Sequence, residues 1–204
     1  MTDGGGHAVS RRAALSAPMA MALIAGSTTA CAQETRPVAA PTSNILVAYF
    51  TRSGNTRVIA GQLKRTLNAD LFEILPAEPY PEDYQANVDQ ARRERDAGFE
   101  PPLKAEVQNL PVYDTVYLGF PIWGETAPPV IRSFLRRHDL SGKTVRPFIT
   151  HGGYGQGSSL SVLASHAPGA RILDAFVMEA DQERRTITLI TEWLGPDAEA
   201  QANR

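Results

Sequence analysis

Cysteine is almost missing from this chain: Cys31 is the only one in 204 residues. No intramolecular disulfide can form, so the fold must be held by its core. No charge of one sign dominates. The net charge is −2, and the signs are mixed along the chain, which offers nothing to a nucleic acid or an anionic membrane. No pair of His, Asp or Glu has the spacing of a metal site. No G-x-S-x-G elbow occurs, so a serine hydrolase has no starting point. An unbroken apolar run of membrane-spanning length is also lacking. The apolar stretch 13–30 is interrupted by Pro18 and Gly26, and it is too polar for a good transmembrane helix. What the chain does have is 43 % hydrophobic residues over its length, enough to bury one full core.

The N-terminus reads as a targeting segment. Arg11 and Arg12 precede a weak apolar region that ends in Thr28-Thr29-Ala30-Cys31-Ala32. A basic start, a short apolar centre and a small-residue end make a secretory signal. The paired arginines resemble a twin-arginine signal over residues 1–32. Two ends are open. Ala30-Cys31-Ala32 is an A-x-A site, which would release a cysteine-free protein and exclude thiol catalysis. Alternatively Cys31 is a lipidated cysteine, which is the one route to a membrane; Thr28 stands where an apolar residue is usual. Either way the expectation is export to a periplasmic or other extracytoplasmic space. Residues 33–43 are a Pro/Ala/Thr linker expected to be disordered.

From Asn44 the pattern becomes regular. Ile45 to Phe50 is an apolar, β-branched and aromatic run, the mark of a buried strand. Ile59, Leu63 and Leu67 lie at i, i+4 and i+8, one stripe of a helix. Between them stands Thr51-Arg52-Ser53-Gly54-Asn55-Thr56. Its hydroxyls and the free amides of a helix start suit a phosphate. It has one Gly and no Lys, unlike the loop that binds a nucleoside triphosphate with Mg²⁺. An ordinary turn with Ser53 or Thr56 as helix cap is the bland alternative.

Further strands are expected at 69–75, 115–120, 144–150 and 171–178, with helices between them. In the helix of 83–96, Tyr84, Val88 and Ala91 share a face expected to pack on the sheet. Pro128 and Pro129 open the next helix, with Val130, Ile131, Phe134 and Leu135 inward and Arg132, Arg136 and Arg137 wet. Ser158 or Ser159 caps a helix burying Leu160, Leu163, Ala164 and Ala167. Asp181 starts the last one, with Ile187, Ile190 and Leu194 inward, and 196–204 is a polar tail. His138 and His166 read as helix-end residues. Five strands alternating with helices make one doubly wound α/β domain over 44–195, a five-stranded parallel sheet in three α/β/α layers. Ligands bind such sheets outside the carboxyl ends of the strands. That rule selects three loops, 51–56, 121–126 and 151–157.

The motif T-x-[ST]-G-x-T after the first strand resembles the flavodoxin family. So do the blocks GFPIWGETAPPVIRSFL and PFITHGGYGQGSSL, which are similar to short-chain flavodoxin-like proteins. The resemblance implies a redox protein that binds flavin mononucleotide (FMN), as an electron carrier or as an enzyme reducing a small acceptor such as a quinone, with NAD(P)H as a candidate donor. Thr51, Ser53, Gly54, Asn55 and Thr56 match the phosphate loop. Pro121, Ile122, Trp123, Gly124, Thr150, His151, Gly152, Gly153, Tyr154 and Gly155 match the loops around the isoalloxazine ring. No catalytic side chain is implied, because the chemistry belongs to the flavin. Two positions depart from the pattern: one Trp stands where two adjacent ones are common, and Tyr154 replaces a small residue. Trp123 can stack on a flat ring or cover the core edge, and Tyr154 can cover the other ring face or look to solvent. Glu125 beside the ring would lower its potential. His151 reads as a loop residue with ordinary hydrogen bonds. A different reading is an exported non-redox module that holds another phosphorylated ligand. The export expectation is checked by replacing Arg11 and Arg12 with Lys: translocation should stop, and export at the normal level would contradict it.

Overall fold

Alternation along each strand decides where the core lies. In β1 (Ile45–Tyr49), Leu46, Ala48 and the following Phe50 join one buried cluster, while Val47 and Tyr49 join the other. A period of two sends successive side chains to opposite faces. A strand apolar on both faces must be covered on both, so helices pack above and below. The structure, a computed structural model, describes residues 43–179, 189–190 and 192–195. All lie in one compact unit, Val38–Arg204. The expected signal segment, all but the last residue of the linker, most of the last helix with Ile187, and the C-terminal tail fall outside the described residues.

The strands after β1 are β2 (Asp70–Glu73), β3 (Thr115–Pro121), β4 (Thr144–His151), β5 (Arg171–Ile172) and β6 (Phe176–Glu179). All pair in parallel, in the order β2-β1-β3-β4-β5, with β6 also on β4. One expectation needs correction: the single fifth strand over 171–178 is split. Arg171 and Ile172 pair with Thr144 and Val145, then Phe176 pairs with Phe148. Three residues face two, so one extra residue bulges out. The break lies opposite Pro147 of β4, which has no N–H to offer a neighbour. The second strand is also shorter than the expected 69–75, because Leu75 and Pro76 turn away to meet 102–104.

Helix α1 (Asn55–Leu67) buries Ile59, Ala60, Leu63 and Leu67 against Val47, Tyr117 and Phe148. Ile190 and Leu194 join that cluster, as expected of the last helix. On the opposite face α3 (Pro129–Arg137) buries Val130, Ile131, Phe134 and Leu135. There Pro at the first position costs nothing, since that N–H has no helical partner. Arg136 and Arg137 are exposed, whereas Arg132 is half-buried. Helix α4 (Ser159–His166) turns Ser159 and Leu163 inward and leaves Ala164 exposed, a correction to the expected face. Gly119 is a packing necessity: it stands beside Phe148 across the β3–β4 pair, and a Cβ there would collide with the Phe148 ring.

His138 is a structural histidine at the end of α3. Its ring stacks on Phe134, with centroids 4.2 Å apart. Nε2 accepts from the Val107 amide at 2.9 Å, so Nδ1 carries the proton and donates to the Phe134 carbonyl at 2.8 Å. Burial pushes its pKa down, because the charged ring would lose water and the Val107 donor would have no acceptor. The unfolded chain therefore binds the proton more readily than the folded one. This contribution to stability is complete above about pH 6.5, the ordinary histidine value, and is lost as pH falls through the lower folded value. Urea midpoints measured between about pH 7.5 and 5.5 should fall with acidification in the wild type. In His138→Gln that component of the slope should be missing.

Candidate functional site

At the carboxyl ends of β1, β3 and β4 the chain builds a cavity of about 580 Å³, well within the usual range for small-molecule sites. The three loops expected at this edge meet there. Loop 51–56 contributes Ser53 and Asn55. Loop 121–126 contributes Pro121, Ile122, Trp123 and Gly124. The end of β4 and its loop contribute Thr150, His151, Gly152 and Tyr154. The remaining expected residues work behind this surface. Thr51 Oγ1 accepts from the Gly54 amide at 3.0 Å, folding the loop on itself. Gly54 has φ 97°, a conformation that favours glycine. Thr56 is buried, and its hydroxyl meets that of Thr150 at 2.9 Å. Gly153 and Gly155 also have positive φ and shape the third loop.

The start of α1 has no side-chain cap. Gly54 stands at the cap position, so neither Ser53 nor Thr56 caps the helix as the ordinary-turn alternative expected. Helix-start amides and the positive end of the helix dipole are left to face whatever binds beside Ser53 and Asn55. A phosphate fits that environment without any lysine.

The second loop is a tight turn. Trp123 N donates to Thr126 O at 3.0 Å, and Thr126 N to Trp123 O at 3.3 Å. Gly124 has φ 57° and Glu125 φ 63°, the double left-handed geometry of a type I′ turn. Glutamate at such a φ costs roughly 1 kcal/mol, so the surroundings must enforce it. Ser158 does so: its amide donates to the Glu125 carbonyl at 2.9 Å, and its hydroxyl to the same oxygen at 3.3 Å. Gly157 permits this approach, since a Cβ there would collide with that carbonyl. The indole of Trp123 stands edge-on to Phe50, centroids 5.2 Å apart, and to Tyr80 at 4.8 Å. Trp123 is thus half-buried and fixed by its neighbours while it lines the cavity. Tyr154 also lines it, yet is 75 % exposed, a ring at the mouth with room to rotate. His151 accepts from the Gly153 amide at 3.0 Å, an ordinary loop bond as expected.

The largest correction concerns α2 (Tyr84–Asp96). Its Tyr84, Val88 and Ala91 do not pack on the sheet. They line the cavity with Asn87, Arg92 and Arg95, and Tyr84 is 68 % exposed. The residues α2 buries are polar, Asn87 and Glu94. Glu94 accepts from Tyr80 Oη at 2.7 Å and from Gln90 Nε2 at 2.8 Å, which anchors the helix. Sequence reasoning missed Arg52, Arg92 and Arg95, the three guanidiniums of this wall. Arg52 donates to the Glu82 carbonyl at 2.8 Å and lies over the Tyr84 ring. Arg95 lies across the turn, where a Cβ on Gly124 would strike its Nη1. The run Ala91-Arg92-Arg93-Glu94-Arg95 was the available signal, since helical spacing puts 88, 92 and 95 on one side. Among the described residues no group of His, Cys, Asp and Glu is arranged to hold a metal.

A doubly wound parallel sheet with a phosphate-type helix start, an aromatic turn and a glycine-rich loop at one edge defines a mononucleotide-binding α/β class. A flavodoxin family model matches residues 44–196. The chain belongs to the flavodoxin family. Among solved structures it is similar to a candidate flavoprotein of Bacteroides eggerthii. The two are 34 % identical over 74 % of this chain and 94 % of that one, with a TM-score of 0.65. A candidate flavoprotein of Bacteroides uniformis is 29 % identical over 72 % and 97 %, at 0.64. A Lactobacillus acidophilus flavoprotein solved in complex with FMN is 20 % identical over 71 % and 97 %, at 0.56. No curated protein matches the chain.

Proposed function

We propose that this protein binds FMN in the cavity at the carboxyl edge of the sheet and carries electrons on it or reduces a small acceptor with it. The observation that carries this reading is the uncapped start of α1 facing the same cavity as Trp123 and the third loop. One end suits a phosphate and the other a flat ring, at the two ends of one space. Family membership supports the cofactor, and the FMN found in the Lactobacillus relative agrees with it. Bound there, the flavin supplies the redox chemistry. The residues of this chain do the rest. Ser53, Asn55 and the helix-start amides hold the phosphate. Trp123 presents a rigid aromatic surface. The 150–155 loop offers backbone groups to the ring edge, and α2 limits water from the remaining side.

Charge around the ring is the chain's main lever on potential. Glu125 opposes added electron density, but Arg52, Arg92 and Arg95 line the same cavity and favour it. The cationic side outnumbers the anionic one, so the ring's reduced form is favoured relative to the expectation from Glu125 alone. At such surface positions each charge is worth about 1 kcal/mol or less, roughly 40 mV per electron.

An anaerobic reductive titration of the purified full chain, followed by absorbance, tests the reading. Yellow protein with one FMN per chain is expected. Two resolved one-electron steps would favour a carrier, and a single two-electron step with NAD(P)H turnover an enzyme. Glu125→Gln should raise the midpoint and Arg92→Gln should lower it, each by tens of millivolts at most. A folded protein that takes up no FMN would overturn the proposal.

A further inference from the structure

The chain between β2 and α2 is irregular, yet one of its side chains is held from two sides. Tyr80 stands in Pro79-Tyr80-Pro81. Each proline fixes its own φ, and Pro81 restricts Tyr80 to extended backbone. The Tyr80 ring stands edge-on to Trp123, with centroids 4.8 Å apart and planes at 84°. Phe50 meets the same indole at 5.2 Å and 83°, and Phe50 and Tyr80 lie 6.1 Å from each other. These separations fall in the favourable range for aromatic pairs, and the three rings close a triangle.

The hydroxyl of Tyr80 has a separate task. It donates to Glu94 Oε2 at 2.7 Å. Glu94 is buried, and its other bond comes from Gln90 of the same helix at 2.8 Å. Among the described residues, Tyr80 is thus the hydrogen-bond partner that ties this carboxylate to the rest of the fold. Burial, then Glu94, push the Tyr80 pKa up against the opposing Val130 amide, so the hydroxyl stays protonated and keeps donating. At the other end of α2, Asp83 accepts from the Ala86 amide at 2.8 Å and caps the helix. Both ends of α2 are therefore set by the segment that carries Tyr80 or by Tyr80 itself.

The turn described above fixes the backbone of Trp123 but not the torsions of its side chain. The two neighbouring rings do that, and they arrive from different places. Phe50 follows β1 in the core, its amide donating to the Gly119 carbonyl at 2.8 Å. Tyr80 arrives from the α2 side. We propose that Tyr80 is a positioning residue of the cofactor site: its ring sets the orientation of the Trp123 indole, and its hydroxyl fastens that ring to α2, so the aromatic surface and the α2 wall are placed as one unit. This deepens the FMN reading and rests on it for its use. Without the Tyr80 ring, binding must itself order the indole, which weakens a flavin about three- to tenfold.

Three measurements on the full chain test this. The first needs no flavin. The chain has two tryptophans, Trp123 and Trp193, so Trp193→Phe leaves Trp123 as the reporter, and time-resolved fluorescence anisotropy reads the freedom of its indole. In that background Tyr80→Leu should add a fast component on the timescale of side-chain motion, and Tyr80→Phe should not. The second is a double-mutant cycle read by affinity for FMN and for riboflavin. Tyr80→Leu should weaken both flavins by the same factor, about three- to tenfold, because the phosphate end is untouched. Tyr80→Phe should retain the affinity for both to within about twofold, and once Trp123→Leu is present Tyr80→Leu should cost less than about twofold more. The third is hydrogen exchange of the α2 amides, which should quicken in Tyr80→Phe because the bond to Glu94 is lost. If Tyr80→Leu does not fold, Tyr80→Met takes its place throughout. The inference is overturned if the indole is as rigid in Tyr80→Leu as with Tyr80 present, if the losses from Tyr80→Leu and Trp123→Leu simply add, or if Tyr80→Phe leaves α2 exchange unchanged. A wild type that binds neither flavin would defeat the cofactor reading, and the anisotropy would still decide whether Tyr80 holds the indole.

Discussion

One buried contact holds the site together: the hydroxyls of Thr56 and Thr150, 2.9 Å apart. Both residues are almost wholly buried. One begins α1 behind the first loop, and the other ends β4 before the third. Neither hydroxyl has water to fall back on, so separating them would strand two polar groups. The second loop is tied into the same unit. Ile122 N donates to Thr150 O at 2.8 Å, and Ser158 N to Glu125 O at 2.9 Å. The loops are therefore set by the fold before any ligand arrives. Preorganisation of this kind lowers the ordering that binding must impose.

From that constraint the distribution of roles follows. The helix start looks after charge, the Trp123 turn looks after a flat surface, and the third loop brings backbone close because glycine allows it. The strain at Glu125, a non-glycine residue at φ 63°, belongs to the same design. It places a carboxylate beside Trp123 and holds the carbonyl toward Ser158 and Gly157. Helix α2 then closes the remaining side with arginines, giving a basic wall in a chain whose net charge is −2. Arg95 is paired with Asp96 at 2.8 Å, and Glu125 lines the same cavity.

What could be read from the sequence was what repeats. Apolar runs and the Ile59, Leu63, Leu67 stripe are periodic, so the strands, α1 and α3 were legible. The three ligand-facing loops followed from a rule about strand ends. Helix α2 was misread because its buried residues are Asn87 and Glu94, which leave no apolar stripe to detect. The partner of Glu94 from outside the helix, Tyr80, becomes visible only once the chain is folded. The split of the fifth strand depends on Pro147 in its neighbour, a relation between strands and not along one. In α4, eight residues gave too short a window to fix the face, and the position of Ala164 was missed. Arg95 reaches the turn at Gly124 from about thirty residues away, a distance no local pattern spans.

The central claim is that one end of the cavity is built for a phosphate and the other for a flavin ring. Titrating the full chain with FMN and with riboflavin, following flavin fluorescence, tests both ends at once. The account predicts one FMN per chain, fluorescence quenched by the aromatic contact, and riboflavin held at least about tenfold more weakly for want of the phosphate. Equal affinity for the two, or no quenching and no binding by either, would contradict it.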